Sequence, residues 1–291
     1  MHEIVQRLHL IESKAKEILG KTQQKTIPAI IAVTKTFPLS KITPLLEVGH
    51  IHYGENKIQE AEDKWAEIKN KYTNLQLHML GKLQTNKAKK AVKLFDYIHS
   101  LDNAKLAIKI GQYEKELNKK IKLFIQVNIS KEDQKSGILL NDLNNFYNYC
   151  TKELSLNIIG LMCLPPINFD SEKYFQILKS TSEKLNLKEL SMGMSSDYEQ
   201  AILYGATFLS VNNLTATDLR YANLAESRLG GASLQYADLS GANLYNAELP
   251  NSYDPYNLQN AYLEGACAEG AIGFSEEVNY NGTPIFDDCS G

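Results

Sequence analysis

The stretch A-I-I-A-V-T-K, Ala29 to Lys35, sets five apolar residues in a row and ends on a hydroxyl and a lysine. So short an apolar run without polar alternation is the pattern of a strand covered on both faces, as in a parallel sheet. Seven further runs follow it: Ile51–Tyr53, Leu75–Leu80, Tyr97–His99, Lys122–Asn128, Leu156–Met162, Glu189–Met192 and Ala206–Val211. Each except the last leads into a helix-like segment. Eight β units alternating with helices predict a (β/α)8 TIM-like barrel. The stripes Ile4-Leu8-Ile11-Ala15-Ile18, Ile58-Ala61-Trp65-Ile68 and Tyr174-Leu178-Leu185 repeat at helical spacing and read as core-facing.

The pattern changes near Val211 to Leu214. Upstream, residues 1–212 carry all 28 lysines and a net charge of +6, whereas residues 213–291 have no lysine and a net charge of −9. Beyond the junction Leu214, Leu219, Leu224, Leu229, Leu234, Leu239, Leu244 and Leu249 recur every five residues. A small residue stands two places before most of them, as in Ala222, Ser227, Ala232, Ala237, Ala242 and Ala247. Neither helix nor strand has that period. One large and one small inward position per five residues fits a square solenoid with four repeats to a turn, each turn needing its neighbours for stability. After an interruption at Pro250–Pro255 the repeat resumes at Leu258 and Leu263. The expected organisation is a barrel over 1–212, a short right-handed quadrilateral β-helix over 213–273 and an irregular acidic tail over 274–291.

The whole chain, 291 residues at a net charge of −3, is 43% hydrophobic and 22% charged, an ordinary globular composition. The near balance of charge provides no footprint for nucleic acid or an anionic membrane surface. No apolar run reaches the roughly 18 residues needed to span a bilayer, and Met1 to Leu19 mixes charges into a helical period, so a cytoplasmic location is expected. Cys150, Cys163, Cys267 and Cys289 have no metal-site or disulfide-framework spacing and read as thiols.

In such barrels the chemistry lies at the C-terminal ends of the strands. Lys35 emerges there from the first strand, where partial desolvation would favour the free amine that attacks an aldehyde; a solvated lysine is the plain alternative. After the seventh strand comes S-M-G-M-S-S-D-Y-E-Q-A-I, Ser191 to Ile202, in which Gly193 permits close backbone approach and Ser195 or Ser196 can cap the helix that follows. The open N–H groups of that turn would make a phosphate cup. Together the two features suit an aldehyde carrying a phosphate. Asn56 closes the second strand as a ligand contact or an N-cap, and His78 in the third is a satisfied structural histidine or a base. Asn128 ends the fifth strand, and Met162 ends the sixth beside Cys163.

The segments V-T-K-T-F-P (Val33–Pro38), Y-G-E-N-K-I-Q-E-A (Tyr53–Ala61), H-M-L-G-K-L-Q-T-N-K (His78–Lys87), I-H-S-L-D (Ile98–Asp102), Q-V-N-I-S-K-E-D-Q-K-S-G (Gln126–Gly137), G-L-M-C-L-P-P (Gly160–Pro166) and L-S-M-G-M-S-S-D-Y-E-Q-A-I (Leu190–Ile202) resemble, in order and spacing, the pyridoxal phosphate homeostasis protein family. Those proteins are single barrels similar to the N-terminal domain of alanine racemase (fold type III). The repeats, written A-N-L-A-E, A-D-L-S-G, A-N-L-Y-N and A-Y-L-E-G, look like the pentapeptide-repeat family. The first resemblance implies that Lys35 holds pyridoxal 5′-phosphate as a Schiff base. It further implies that Gly193, Ser195 and Ser196 grip the phosphate, that Asn56 lines the ring, and that the protein stores or delivers the cofactor without an established turnover.

The chain departs from that family in its eighth strand. Ser210 stands where the resemblance places an arginine, Asn212 where it places a glycine and Asn213 where it places a hydroxyl, so weaker cofactor binding is expected. Pyridoxal phosphate-dependent enzymes are the partners such a role implies. Two other readings stand beside it. One is a protein-interaction module acting through the acidic solenoid, and the other is an amino-acid racemase, for which no motif identifies a tyrosine as the second acid/base. A monomer, or a weak dimer through the repeats, is expected.

Overall fold

The computed structural model describes residues 2–22, 26–130, 136–166, 170–195, 197–211, 222–227, 239, 241–249, 263, 266–269 and 271. Two compact units divide the chain, Met1–Leu214 and Thr215–Gly291.

The first unit is a closed parallel barrel of eight strands: β1 (Ala29–Val33), β2 (His52–Glu55), β3 (Gln76–Met79), β4 (Tyr97–Leu101), β5 (Lys122–Asn128), β6 (Ile158–Met162), β7 (Glu189–Ser191) and β8 (Phe208–Val211). Each strand pairs with its neighbours in sequence. The ring closes where β1 meets β8, with Ala29 opposite Phe208 and Ile31 opposite Ser210. All eight expected strands are present, and helices connect them as the alternation predicts.

Alternation along β1 shows how one apolar run serves two cores. Ile30 and Ala32 turn outward into the layer beneath the helices, while Ile31 turns inward to pack with Tyr97, Phe124, Met162 and Phe208. A strand with two buried faces has no side on which a polar residue is inexpensive, which is why the run carries none. The outer layer is covered by the expected stripes: Ile4, Leu8, Ile11, Ala15 and Ile18 of the N-terminal helix Glu3–Leu19, and Ile58, Ala61 and Trp65 of the helix Ile58–Trp65. The N-terminal helix packs against the last one, Tyr198–Leu203. A two-residue strand, Ile138–Leu139, adds to the C-terminal end of β5 beside Val127 and Asn128. Among the described residues no helix is long and apolar enough to cross a membrane.

In the second unit, parallel bridges join Asn223 to Asn243 and Asn243 to Cys267. The first step is twenty residues, or four repeats of five. The second is twenty-four, longer by the four residues that the interruption between Leu249 and Leu258 inserts. Backbone bonds run between the stacked segments, from Leu224 N–H to Asn243 O at 2.8 Å and from Leu244 N–H to Cys267 O at 2.7 Å. Leu239, Ala242, Leu244, Ala247, Leu249, Leu263 and Ala266 are buried, the large and small inward positions of the pattern. Cys267 is disulfide-bonded, against the reading of four thiols; Cys150 and Cys163 are free and buried. The acidic tail over 274–291 lies outside the described residues, as do Ser196, Asn212 and Asn213.

Candidate functional site

A cavity of about 420 Å³ opens at the C-terminal ends of the strands, within the ~300–1,000 Å³ usual for small-molecule sites. Lys35 and Asn56 both line it. The Lys35 amine is half-buried and takes part in no hydrogen bond or ion pair among the described residues. Asn56 is set by Gly81, which follows β3: a Cβ there would come within 2.4 Å of the Asn56 carbonyl oxygen, so only glycine lets the two loops meet. The far wall is Gln126, Asn128 and Ser136, with the Gln126 amide donating to Ser136 O at 3.1 Å. Met162, Met194 and Ser210 complete the floor and the β7–β8 side.

In the loop after β7 several backbone groups of the described residues are bonded internally. Gly193 has φ of 94°, and a Cβ on it would lie 2.5 Å from the Ala201 Cβ, so glycine is required both by the backbone and by the helix packed over it. Ser210 N–H donates to Gly193 O at 2.9 Å, tying the loop to β8. The N-cap of the helix Tyr198–Leu203 is Asp197, whose side chain accepts from Met194 N–H at 2.6 Å. The amides of Asp197 and Tyr198 donate to Met194 O. The Met194, Asp197 and Tyr198 donors are thereby used within the loop instead of standing open to a phosphate. Burial raises the Asp197 carboxyl above its usual value, partly offset by the backbone N–H groups it accepts from. Gly193 and Ser195 flank Met194, which itself reaches the cavity.

His78 does not line the cavity. It is the centre of a chain across the barrel interior: His52 Nδ1 to His78 Nε2 at 3.0 Å, His78 Nδ1 to His99 Nε2 at 2.9 Å, and His99 Nδ1 to Ser191 Oγ at 2.8 Å. Tyr97 stacks on His78, and Phe124 on His99. Burial first, and then the neighbouring histidines, lower the affinity of all three for protons, His52 to about 4 and His99 to about 3. A neutral imidazole donates once and accepts once, so the uncharged chain pairs each ring nitrogen that it joins. Cys163 is equally inert as a nucleophile, its thiol pushed up by burial and by Asp197.

Residues 8–210 match the family "Alanine racemase, N-terminal domain", and residues 213–249 match "Pentapeptide repeats" in eight copies. A "Pyridoxal phosphate homeostasis protein" of Synechocystis is 35% identical over 198 residues, 65% of this chain and 90% of that protein. The chain belongs to the pyridoxal phosphate homeostasis protein family. The homologue from Escherichia coli K12 is 28% identical over 72% of this chain and 94% of its own length. The structure of PipY from Synechococcus elongatus with PLP bound superposes with a TM-score of 0.61 at 33% identity, covering 69% of this chain and 98% of PipY. Alanine racemase from E. faecalis, at 10% identity and a TM-score of 0.52, shares the fold.

The cavity also has lining residues that the sequence reading passed over. Lys82 and Ser136 lie in loops whose polarity is that of any loop, and Gln126 lies within β5; they come together only once the strand ends converge. Glu55, the last residue of β2, is fully buried, a placement rare for a carboxylate.

Proposed function

We propose that this chain binds pyridoxal 5′-phosphate and serves the homeostasis of that cofactor, with Lys35 as the attachment point. The observation that carries the reading is the Lys35 amine, free of acids, in the wall of a cavity at the C-terminal mouth of the barrel. The residues present fit the group in its ring portion. The cavity has a suitable volume, its wall mixes apolar side chains with amides, and the Gly81–Asn56 contact leaves room where a side chain would intrude. When bound, the cofactor supplies an aldehyde that condenses with a primary amine, releasing water as a Schiff base forms. Lys35 is the residue to offer that amine, Asn56 to hydrogen-bond the ring edge, and Gly193 and Ser195 to approach the phosphate.

On the phosphate side the fit is poorer. Met194 N–H is committed to Asp197, and Ser210 contributes a hydroxyl where the family resemblance places an arginine. Weak, reversible holding suits a protein that passes the cofactor to enzymes requiring it, and a cytoplasmic setting goes with that role. Among the described cavity-lining residues the titratable groups are Lys35 and Lys82, neither of them the tyrosine a racemase would place on the far face of the ring. That, with the relatives' homeostasis role, favours the carrier over the racemase.

The test is an absorption spectrum of the full chain with added pyridoxal 5′-phosphate, before and after borohydride, for the wild type and Lys35→Ala. A near-visible band that borohydride fixes to the peptide containing Lys35, absent in the variant, is the expected result. A protein that stays colourless, or a Lys35→Ala variant that colours equally, refutes the reading.

A further inference from the structure

Both neighbours of Lys35 are gripped by β2 and the helix that follows it. On its N-terminal side, Thr34 N–H donates to Gly54 O at 2.9 Å, the Thr34 hydroxyl donates to Glu55 Oε1 at 2.7 Å, and Thr34 O accepts from Lys64 Nζ at 2.6 Å. On its C-terminal side, Thr36 N–H donates to Glu60 Oε1 and the Thr36 hydroxyl to Lys35 O. Lys64 joins the two halves, with Nζ 2.9 Å from Glu55 Oε1 and 3.2 Å from Glu60 Oε1. Trp65 Nε1 adds a third donor to Glu55 Oε1 at 2.9 Å.

Two features make this more than a structural ion pair. Thr36 holds φ of 65°, a conformation that a β-branched residue adopts only when its surroundings impose it. Glu55 is fully buried, and its second oxygen, Oε2, has no partner. A half-satisfied carboxylate in the core costs stability that an apolar residue of similar shape would not. A strained residue and a half-satisfied carboxylate therefore flank the segment after β1 that carries the Lys35 amine.

We propose that Glu60 and Glu55, bridged by Lys64, are positioning residues that hold the Lys35 backbone in a strained turn, so that its amine is presented to the cavity. The proposal rests on the reading that the Lys35 amine is the reactive group. Glu60 acts through Thr36 and touches no ligand; its side chain is partly buried beside Lys64, but it is not one of the core residues of the helix Ile58–Trp65, which are Ile58, Ala61 and Trp65.

The experiment compares the full-length wild type, Glu60→Ala, Thr36→Gly and the double variant, using pyridoxal 5′-phosphate and unphosphorylated pyridoxal as probes. In Glu60→Ala the rate of Schiff-base formation is expected to fall about tenfold with both probes, at an unchanged melting temperature, because the defect is at the amine and not at the phosphate. Adding Thr36→Gly should restore the rate to within about threefold, since glycine takes the left-handed turn without strain. An unchanged rate in Glu60→Ala, a loss that Thr36→Gly does not rescue, or a loss confined to the phosphorylated probe overturns the clamp. Hydrogen exchange of the Thr36 amide separates this proposal from the functional reading. If the wild type forms no Schiff base with either probe, that reading fails; protection of the Thr36 amide that disappears in Glu60→Ala still supports the clamp, and protection that persists refutes it.

Discussion

Ser210 and Gly193 are two single positions whose geometry carries testable consequences. Ser210 lines the cavity from β8 at the position where the family resemblance places an arginine. A charge-assisted hydrogen bond is worth about 1.5–3 kcal/mol, so Ser210→Arg is expected to tighten pyridoxal 5′-phosphate binding by roughly tenfold to a hundredfold. Titration followed by the near-visible band checks this, and an unaltered affinity would mean that the cation has no role here. Gly193→Ala meets both a left-handed backbone and the Ala201 side chain, and should lower stability by about 2–4 kcal/mol. The midpoint of urea unfolding reads that loss; a midpoint within error of wild type would show that the loop after β7 relaxes freely. That Lys35 and Asn56 stand beside a cavity was legible in the chain because each follows a strand, where barrels place their sites, whereas Gly193 and Ser195 are not among its lining residues and only Met194 between them reaches it. The bond from Met194 N–H to Asp197 was not legible, because an aspartate before a helix reads as a cap and the alternative bond depends on a turn geometry that no spacing encodes.

At the scale of elements, β2, β3, β4 and β7 each contribute one polar side chain to the interior, and the four form a single hydrogen-bonded chain from His52 to Ser191. Because burial lowers the proton affinity of His52, His78 and His99, the folded barrel binds fewer protons than the unfolded chain, whose histidines titrate at about 6.5. Stability must then rise with pH between the folded and unfolded values: it is full above about pH 6.5 and falls as the pH drops toward about 4. The expected slope is about 1.4 kcal/mol per pH unit for each histidine kept neutral. Urea denaturation at a series of pH values measures it, and a slope as steep in a variant lacking His52 and His99 would locate the dependence elsewhere. Nothing in the strand sequences pointed to the chain of rings. Histidines at alternating strand positions face inward, but which strands bring them within 3 Å is fixed by the shear of the closed barrel.

For the whole molecule, two units with separate buried residues imply two unfolding events. Calorimetry of the full chain should resolve two transitions. Reductant should lower only the one belonging to the repeats, where Cys267 is cross-linked, by the ~2–4 kcal/mol typical of a disulfide. A single transition indifferent to reductant would show that the units unfold together and that the cross-link is without weight. The separation is visible in charge and period alone, since lysine usage stops at Lys188 and the five-residue repeat begins at Leu214.

By itself the sequence determined the eight strands, the repeat with its twenty-residue step, and the position of Lys35, because burial on two faces and a fixed period leave little freedom in residue type. Only the tertiary structure decided which polar groups meet: the Glu55–Lys64–Glu60 cluster behind Lys35, the histidine chain and the internal bonding of the β7 loop. The first two join residues from different strands and helices, whose partners are chosen by distance and direction once the barrel has closed, and the third is local but depends on the path of the turn.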